Sequence, residues 1–470
     1  MFRRISYWSL FGLLSVIAPL TLALPGPAAQ AAISRAASPL TGPPQVKPAT
    51  GTPSFPPSTA QTEQIRQLVQ CGGVMYAVGS FSTVQQGGHT YTRNNAFSFS
   101  ATAPFTMTSW NPNVNAVVDS ITFNSGHCSD AYIGGNFSRV RGRSALRIAE
   151  VRTAGAGGVV TSFRHSANKE VETLASYQNH VLAGGFFTTI NGGSADPYMT
   201  SLNATTGRND GFLKLRISGH YGFKGVAPNQ TRIYNQQISH SGRMDLVEGD
   251  FTSAGGKRRQ QVFMLNLASR PSATVTTWTS PRFDGSRGYP PKGYYYNCST
   301  KEPFYIKAGA WSPDDQTIYL AATGFRPWNR MTGLPLRGLC DSASAFTAGR
   351  TATFKWINYT GCDSLYSVAA DTGGAYFGGH LRYSQNPNGC NVAGPGAIAA
   401  EGLEGLHPAS GLLLVNGQGT SLYTRDRGLG ADDMLITAAG LWVASDNFAG
   451  SQMCDGVPGL SGICFLPYGA

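Results

Sequence analysis

Apolar and polar residues alternate along this chain in short runs, broken every few residues by Gly, Asn, Asp or Ser. AVVDSITF (116–123) alternates like a strand with one buried face. NSGHCSD then turns the chain, and AYIGGNFSRV continues it as a second strand. LRIAEV (146–151), a glycine-rich turn and VVTSF (159–163) complete a four-strand unit. The next stretch repeats the order with VETLA, VLAGGFF, YMTSLN and the turn NATTG. A helical protein of this length would use more Leu, Glu, Lys and Ala, so the pattern predicts an all-β chain.

One phrase punctuates these units: glycine, a spacer and phenylalanine at the end of an apolar strand. It occurs at Phe81, Phe137, Phe187 and Phe251, with weaker copies at Phe325, Leu381 and Phe448. Seven copies separated by 50 to 74 residues of strand-like sequence predict a seven-bladed β-propeller of four-stranded blades. The paired glycines Gly134 and Gly135 fit a bend or a close approach of neighbouring backbones, and the phenylalanine fits packing between blades. An aromatic residue often closes a unit: Trp110, Phe163, Trp278 and Trp356. Phe55 precedes Phe81 much as Trp110 precedes Phe137, while the C-terminus stops after a third strand. The two ends are thus predicted to share the last blade, with Thr52 to Phe55 as its outer strand and the ring closed by this N-terminal strand.

The phrase, followed by a strand and an N-x-x-T-G turn, resembles the delta-60 type repeat of exported bacterial β-propellers. The match is good over residues 65 to about 270 and recognisable, with larger loops, to the end. WD40 repeats are a poorer match, because their Gly-His and Trp-Asp signatures are missing at the corresponding places. The resemblance implies a fold and an extracellular setting, and it carries no catalytic residues to transfer.

The N-terminus reinforces export. Arg3 and Arg4, the apolar stretch Tyr7 to Leu24 and the small-residue site Ala29-Gln30-Ala31 predict a signal peptide over 1–31. A Pro/Ser/Thr/Ala-rich leader follows over 32–50, and the propeller domain is assigned to 51–470. No later stretch is long and apolar enough to span a bilayer. The expected location is secreted, extracellular or associated with the cell wall. All eight cysteines lie in the mature region, so disulfides are expected. Alignment of the blades suggests Cys71–Cys128, Cys298–Cys340, Cys362–Cys390 and Cys454–Cys464. Without a CxxC or HxxxH pair, no metal site and no cofactor is predicted.

A formal charge of +11 suits an anionic glycan or cell-wall polymer as partner, with a protein partner as the other class. No Lys/Arg run is dense enough for nucleic acid. There is no GxSxG elbow, HExxH helix or phosphate loop, which leans the reading towards a non-catalytic binding module. The alternative is a propeller enzyme: a polysaccharide hydrolase or lyase, or a quinone- or copper-type oxidase. Glu248 and Asp250, with Asp245 nearby, form the one suggestive acid group. They read as an acid–base pair or calcium ligands, or as exposed acids paired with Lys257, Arg258 or Arg259. The connections before first strands and after second strands share one face. They concentrate aromatic and arginine residues suited to sugar stacking and forked anion contacts: Tyr221, Tyr289, Tyr294, Tyr295, Arg326, Trp328, Tyr383, Tyr423 and Arg425.

Overall fold

The computed structural model describes residues 42–59, 63–124, 127–192, 196–220, 230–283, 305–324, 338–448 and 453–469. Among these the regular structure is almost wholly β, with one short 3-10 turn at Pro281–Phe283. Among the described residues no helix is long and apolar enough to cross a membrane.

Among the described residues, seven antiparallel sheets of three or four strands follow one another. Their first strands are Gln64–Cys71, Val118–Phe123, Val171–Tyr177, Arg232–Ile238, Ile306–Trp311, Leu365–Ala370 and Asp433–Thr437. We number the sheets 1 to 7 in that order. Each first strand pairs with a second strand, and the second with a third. Sheets 4 and 5 have a full fourth strand, Thr274–Val275 and Phe354–Tyr359. In sheets 1, 2, 3 and 6 the fourth strand shrinks to a single bridge, such as Val151 with Val159.

First strands of successive sheets touch in turn, and the first strand of sheet 7 touches that of sheet 1. This arrangement makes the protein a β-propeller. Polar side chains near the start of these strands stitch neighbours together. Gln67 Oε1 accepts the Ile121 N–H at 2.6 Å, and Ser120 Oγ accepts the Leu174 N–H at 2.9 Å. Asp433 Oδ2 accepts the Leu68 N–H at 2.9 Å, joining sheets 7 and 1 in the same way.

The apolar core is distributed between sheets rather than collected in one place. One cluster joins Tyr76 and Val78 of sheet 1 to Ile121 and Ile133 of sheet 2, around the repeat residue Phe137. Another joins Leu68 and Phe97 of sheet 1 to Leu435 and Trp442 of sheet 7. The closing tryptophans each hydrogen-bond into the following sheet. Trp110 Nε1 donates to Arg152 O at 3.0 Å, Trp278 Nε1 to Thr347 O at 2.8 Å, and Trp356 Nε1 to Pro408 O at 2.9 Å.

The N-terminal segment packs on the third strand of sheet 7, Ile463–Pro467. Gln45 N donates to Pro467 O and Ala49 N to Phe465 O, both at 2.8 Å. The edge pairing thus begins earlier than the expected Thr52 to Phe55, inside the stretch assigned to the leader. Farther along, Thr52 Oγ1 donates to Ile463 O, and Phe55 N to Ser461 O. There Pro53, Pro56 and Pro57 lack the N–H that a continued ladder requires. Phe55 is buried with its ring centroid 5.5 Å from that of Phe81, so it caps the junction as the tryptophans cap the others.

Cys71–Cys128, Cys362–Cys390 and Cys454–Cys464 are disulfides, with Cα separations of 5.8, 4.7 and 6.2 Å. Cys340 is also disulfide-bonded, while Cys298 lies outside the described residues.

Candidate functional site

The repeat glycines explain how side chains reach the propeller axis. In six of the seven sheets the pairing of first and second strands shifts register near its start. Each shift is a β-bulge that leaves one first-strand residue unpaired and turns it aside. Those residues are Arg66, Asp119, Glu172, Tyr234, Lys307 and Tyr366, and Asp432 stands at the matching place just before the first strand of sheet 7. Opposite the bulge in sheet 2 is Gly135, paired with Val118. A methyl group there would run into the carbonyl oxygen of Val117, and one on Gly79 would meet that of Gln64. The preceding Gly134 has another task. Its own methyl would lie 2.8 Å from Val171 Cγ1 of sheet 3. One glycine of the pair therefore admits the bulge and the other admits the neighbouring sheet.

These residues line a cavity of about 660 Å³ where the first strands begin. All seven sheets contribute, and the lining is mainly charged or hydroxyl-bearing. Its acids are Asp119, Glu170, Glu172, Asp432 and Asp433, its bases Arg66, Arg232 and Lys307, with Tyr234, Tyr366 and His380 between them. The volume suits a small organic ligand.

Charges around the cavity are partly matched. Arg232 donates from Nε to Glu172 Oε2 at 3.2 Å and pairs through Nη2 with the other carboxylate oxygen. It also stands 3.8 Å from Glu170. Arg66 reaches Asp432 at 3.8 Å. Lys307 Nζ sits 3.9 Å from the centroid of the Tyr234 ring, a cation–π contact between sheets 4 and 5. The Tyr366 hydroxyl and His380 Nδ1 are 3.2 Å apart.

Enclosure moves the protonation equilibria of these groups. Burial, reinforced by the facing Glu170, pushes the Asp119 carboxyl up to about 7. Burial raises Asp432 to about 6 against the pull of Arg66. Lys307 falls to about 8, chiefly through burial, with Arg232 and Arg66 adding repulsion. Tyr366 rises to about 12 through burial beside Asp432, and burial lowers His380. The cavity thus holds two carboxyls and an amine that change charge within reach of neutral pH.

The residues singled out from sequence fall elsewhere. Tyr221, Tyr289, Tyr294, Tyr295, Arg326 and Trp328 lie outside the described residues. Tyr383 is half-buried in the short hairpin of Tyr383–Ser384 with Ile398–Ala399. Tyr423 and Arg425, expected on an exposed face, are buried. The Tyr423 hydroxyl donates to Pro44 O at 2.6 Å, and the Arg425 guanidinium bonds Leu460 O and Ser445 Oγ. Both fasten chain segments around sheet 7. Asp245, Glu248 and Asp250 are wholly buried rather than exposed. Burial drives the Asp245 carboxyl well above its ordinary range, and the Glu248 side chain fills the space left by Gly309 of sheet 5. Lys257 and Arg259 instead donate to the carbonyls of Val275 and Thr276. Among the described residues no group of three or more His, Cys, Asp or Glu is placed to hold a metal ion.

The cavity residues escaped the sequence reading although they carry a signal. Each of the six bulge residues sits between an apolar residue and a small or amide residue, 15 to 18 positions before the repeat Phe or Leu: Ile65-Arg66-Gln67, Val118-Asp119-Ser120, Val171-Glu172-Thr173, Leu365-Tyr366-Ser367. Strict alternation assigns such a position to one face of a flat strand and conceals the bulge.

No family model matches the chain, and no curated protein matches it. Among solved structures it is similar to the WD40 β-propeller domain of Doa1, at TM-score 0.43 and 11% identity over 87% of this chain and 95% of that one. It is similar also to the computationally designed Ika8 protein, at TM-score 0.41 and 10% identity over 90% and 99%. A third is the β-propeller domain of Cps50 (Swd1) from Myceliophteria thermophila, at TM-score 0.36 and 9% identity over 67% and 79%. Likeness at this level transfers no activity or partner to this chain.

Proposed function

We propose that this chain is an exported, seven-bladed propeller, closed into a ring by its N-terminal strand, that binds a glycan in the cavity at the start of its first strands. The observation that carries the reading is the convergence of a polar side chain from every sheet on one enclosed space, in six cases through a bulge. Bulges disrupt a ladder and enclosed charges oppose folding, so neither serves the ring's own stability. Hydroxyl, carboxylate, amide and ammonium groups at close quarters suit a polyhydroxylated ligand. Disulfides across the described residues favour an oxidising compartment. The excess of acids over bases in the cavity favours a neutral or cationic sugar there. An anionic polymer would be drawn instead by the basic surface.

A second reading, a hydrolase or lyase acting on polysaccharide, draws on Asp119, whose carboxyl is raised by burial and by the facing Glu170. The deciding experiment exposes the mature protein, residues 32–470, to a glycan and cell-wall polysaccharide array at two salt concentrations while recording reducing-sugar release. Binding without turnover supports the module, and sugar release would replace it with the enzyme. Silence in both channels would remove both readings.

A further inference from the structure

Resting on the cavity as ligand site, we infer that Asp119 and Glu170 anchor a primary ammonium group of the ligand. Asp119 projects from the bulge of sheet 2, and Glu170 immediately precedes the first strand of sheet 3, so the two carboxyls face each other across one junction. Arg66 and Arg232 attract Asp119 only from a distance, each being paired with another acid. Arg232 is held by Glu172 and leans on Glu170 at 3.8 Å, while Arg66 extends the other way to Asp432. The Asp119 and Glu170 carboxyls are close enough to interact as a hydrogen-bonding pair, and Glu170 is what opposes ionisation of Asp119 after burial itself. Two facing carboxyls that are both ionised repel each other, and the pair is relieved either by a proton or by a cation that brings N–H groups. An ammonium supplies three donors and one positive charge from a compact head. Two carboxyls repel an anion, and two alone fall short of the six to eight oxygens that calcium takes. The cavity also holds one more acid than Arg66, Arg232 and Lys307 offset, even after Asp433 is committed to the Leu68 N–H.

The probes are D-glucosamine, D-glucose and N-acetyl-D-glucosamine, which share a ring and differ at one substituent. Their binding to the full mature protein is measured by calorimetry near neutral pH, with Asp119→Asn and Glu170→Gln as variants and a thermal melt as the folding control. Glucosamine is expected to bind at least about tenfold more tightly than the other two, as a charge-assisted contact provides. That preference is expected to vanish in either variant. Equal binding of glucosamine and glucose, absent glucosamine binding, or a preference that survives both substitutions would overturn the anchor. If at the same time an array-identified neutral glycan loses affinity on Tyr366→Phe, the cavity reading stands and only the anchor fails. If that glycan is indifferent to every cavity substitution, the cavity reading itself fails.

Discussion

The residues with most influence on the site are glycines that never touch it. Gly135 has room for the Val117 carbonyl oxygen only because it lacks a Cβ. Gly135→Ala should therefore flatten the bulge at Asp119 and cost about 1–3 kcal/mol, typical of overpacking, measured by urea unfolding. Asp119 itself should trade stability for function. Its folded value near 7 lies above the ordinary value of 3.8, so its contribution is intact below about pH 4 and is lost as pH rises through 7. The groups that set this value, Glu170, Arg66 and Arg232, remain in place when Asp119 alone is changed. Asp119→Asn should therefore raise the thermal midpoint at pH 8, with a gain that fades towards pH 4. A gain that grew on acidification would contradict the sign. This arrangement was hidden in the sequence for a definite reason. The Gly-Gly-x-Phe phrase reads as packing, and it is packing, yet its second glycine also aims a channel residue about 15 positions upstream. The acids that did catch the eye, Glu248 and Asp250, are sealed between sheets 4 and 5.

At the scale of an element, neighbouring sheets are fastened by apolar clusters, and at several junctions also by a closing aromatic or by a hydrogen bond from the inner strand. The disulfides act at the same level. Cys71–Cys128 joins the hairpin turns of sheets 1 and 2, its cysteines 57 positions apart. Replacing both cysteines by serine should lower stability by roughly 2–5 kcal/mol, read as a shift of the denaturant midpoint in a chain whose other bridges stay intact. These pairings were legible because blade alignment put the cysteines at one end of neighbouring strands. Tyr423 and Arg425 were misplaced because loop position predicts exposure, whereas here the loop folds under the N-terminal segment and the hydroxyl of Tyr423 finds Pro44 O.

For the whole molecule, the contact between sheets 1 and 7 is the junction that the others rely on. Residues 42–57 cover the edge of Ile463–Pro467 and place Phe55 beside Phe81. A chain beginning at Ser58 should melt at lower temperature and self-associate through the bared edge strand, which light scattering at increasing concentration would detect. An unchanged melt and a monomer at all concentrations would show that the segment is dispensable. The repeat made an all-β propeller readable. The exact pairing was not, since it depends on where prolines interrupt the ladder.

The central claim is that the space where seven first strands begin is the ligand site. It is tested most directly by measuring the affinity of an array-identified glycan for two variants beside the unchanged protein. One carries Lys307→Met with Tyr366→Phe in the cavity, and the other carries Tyr294→Ala with Trp328→Ala in the aromatic loops. The account predicts that the cavity variant loses affinity by tenfold or more, about 1.4 kcal/mol, while its melt is retained. Undiminished binding by the cavity variant, with loss in the loop variant, would contradict it and return the ligand to the aromatic face.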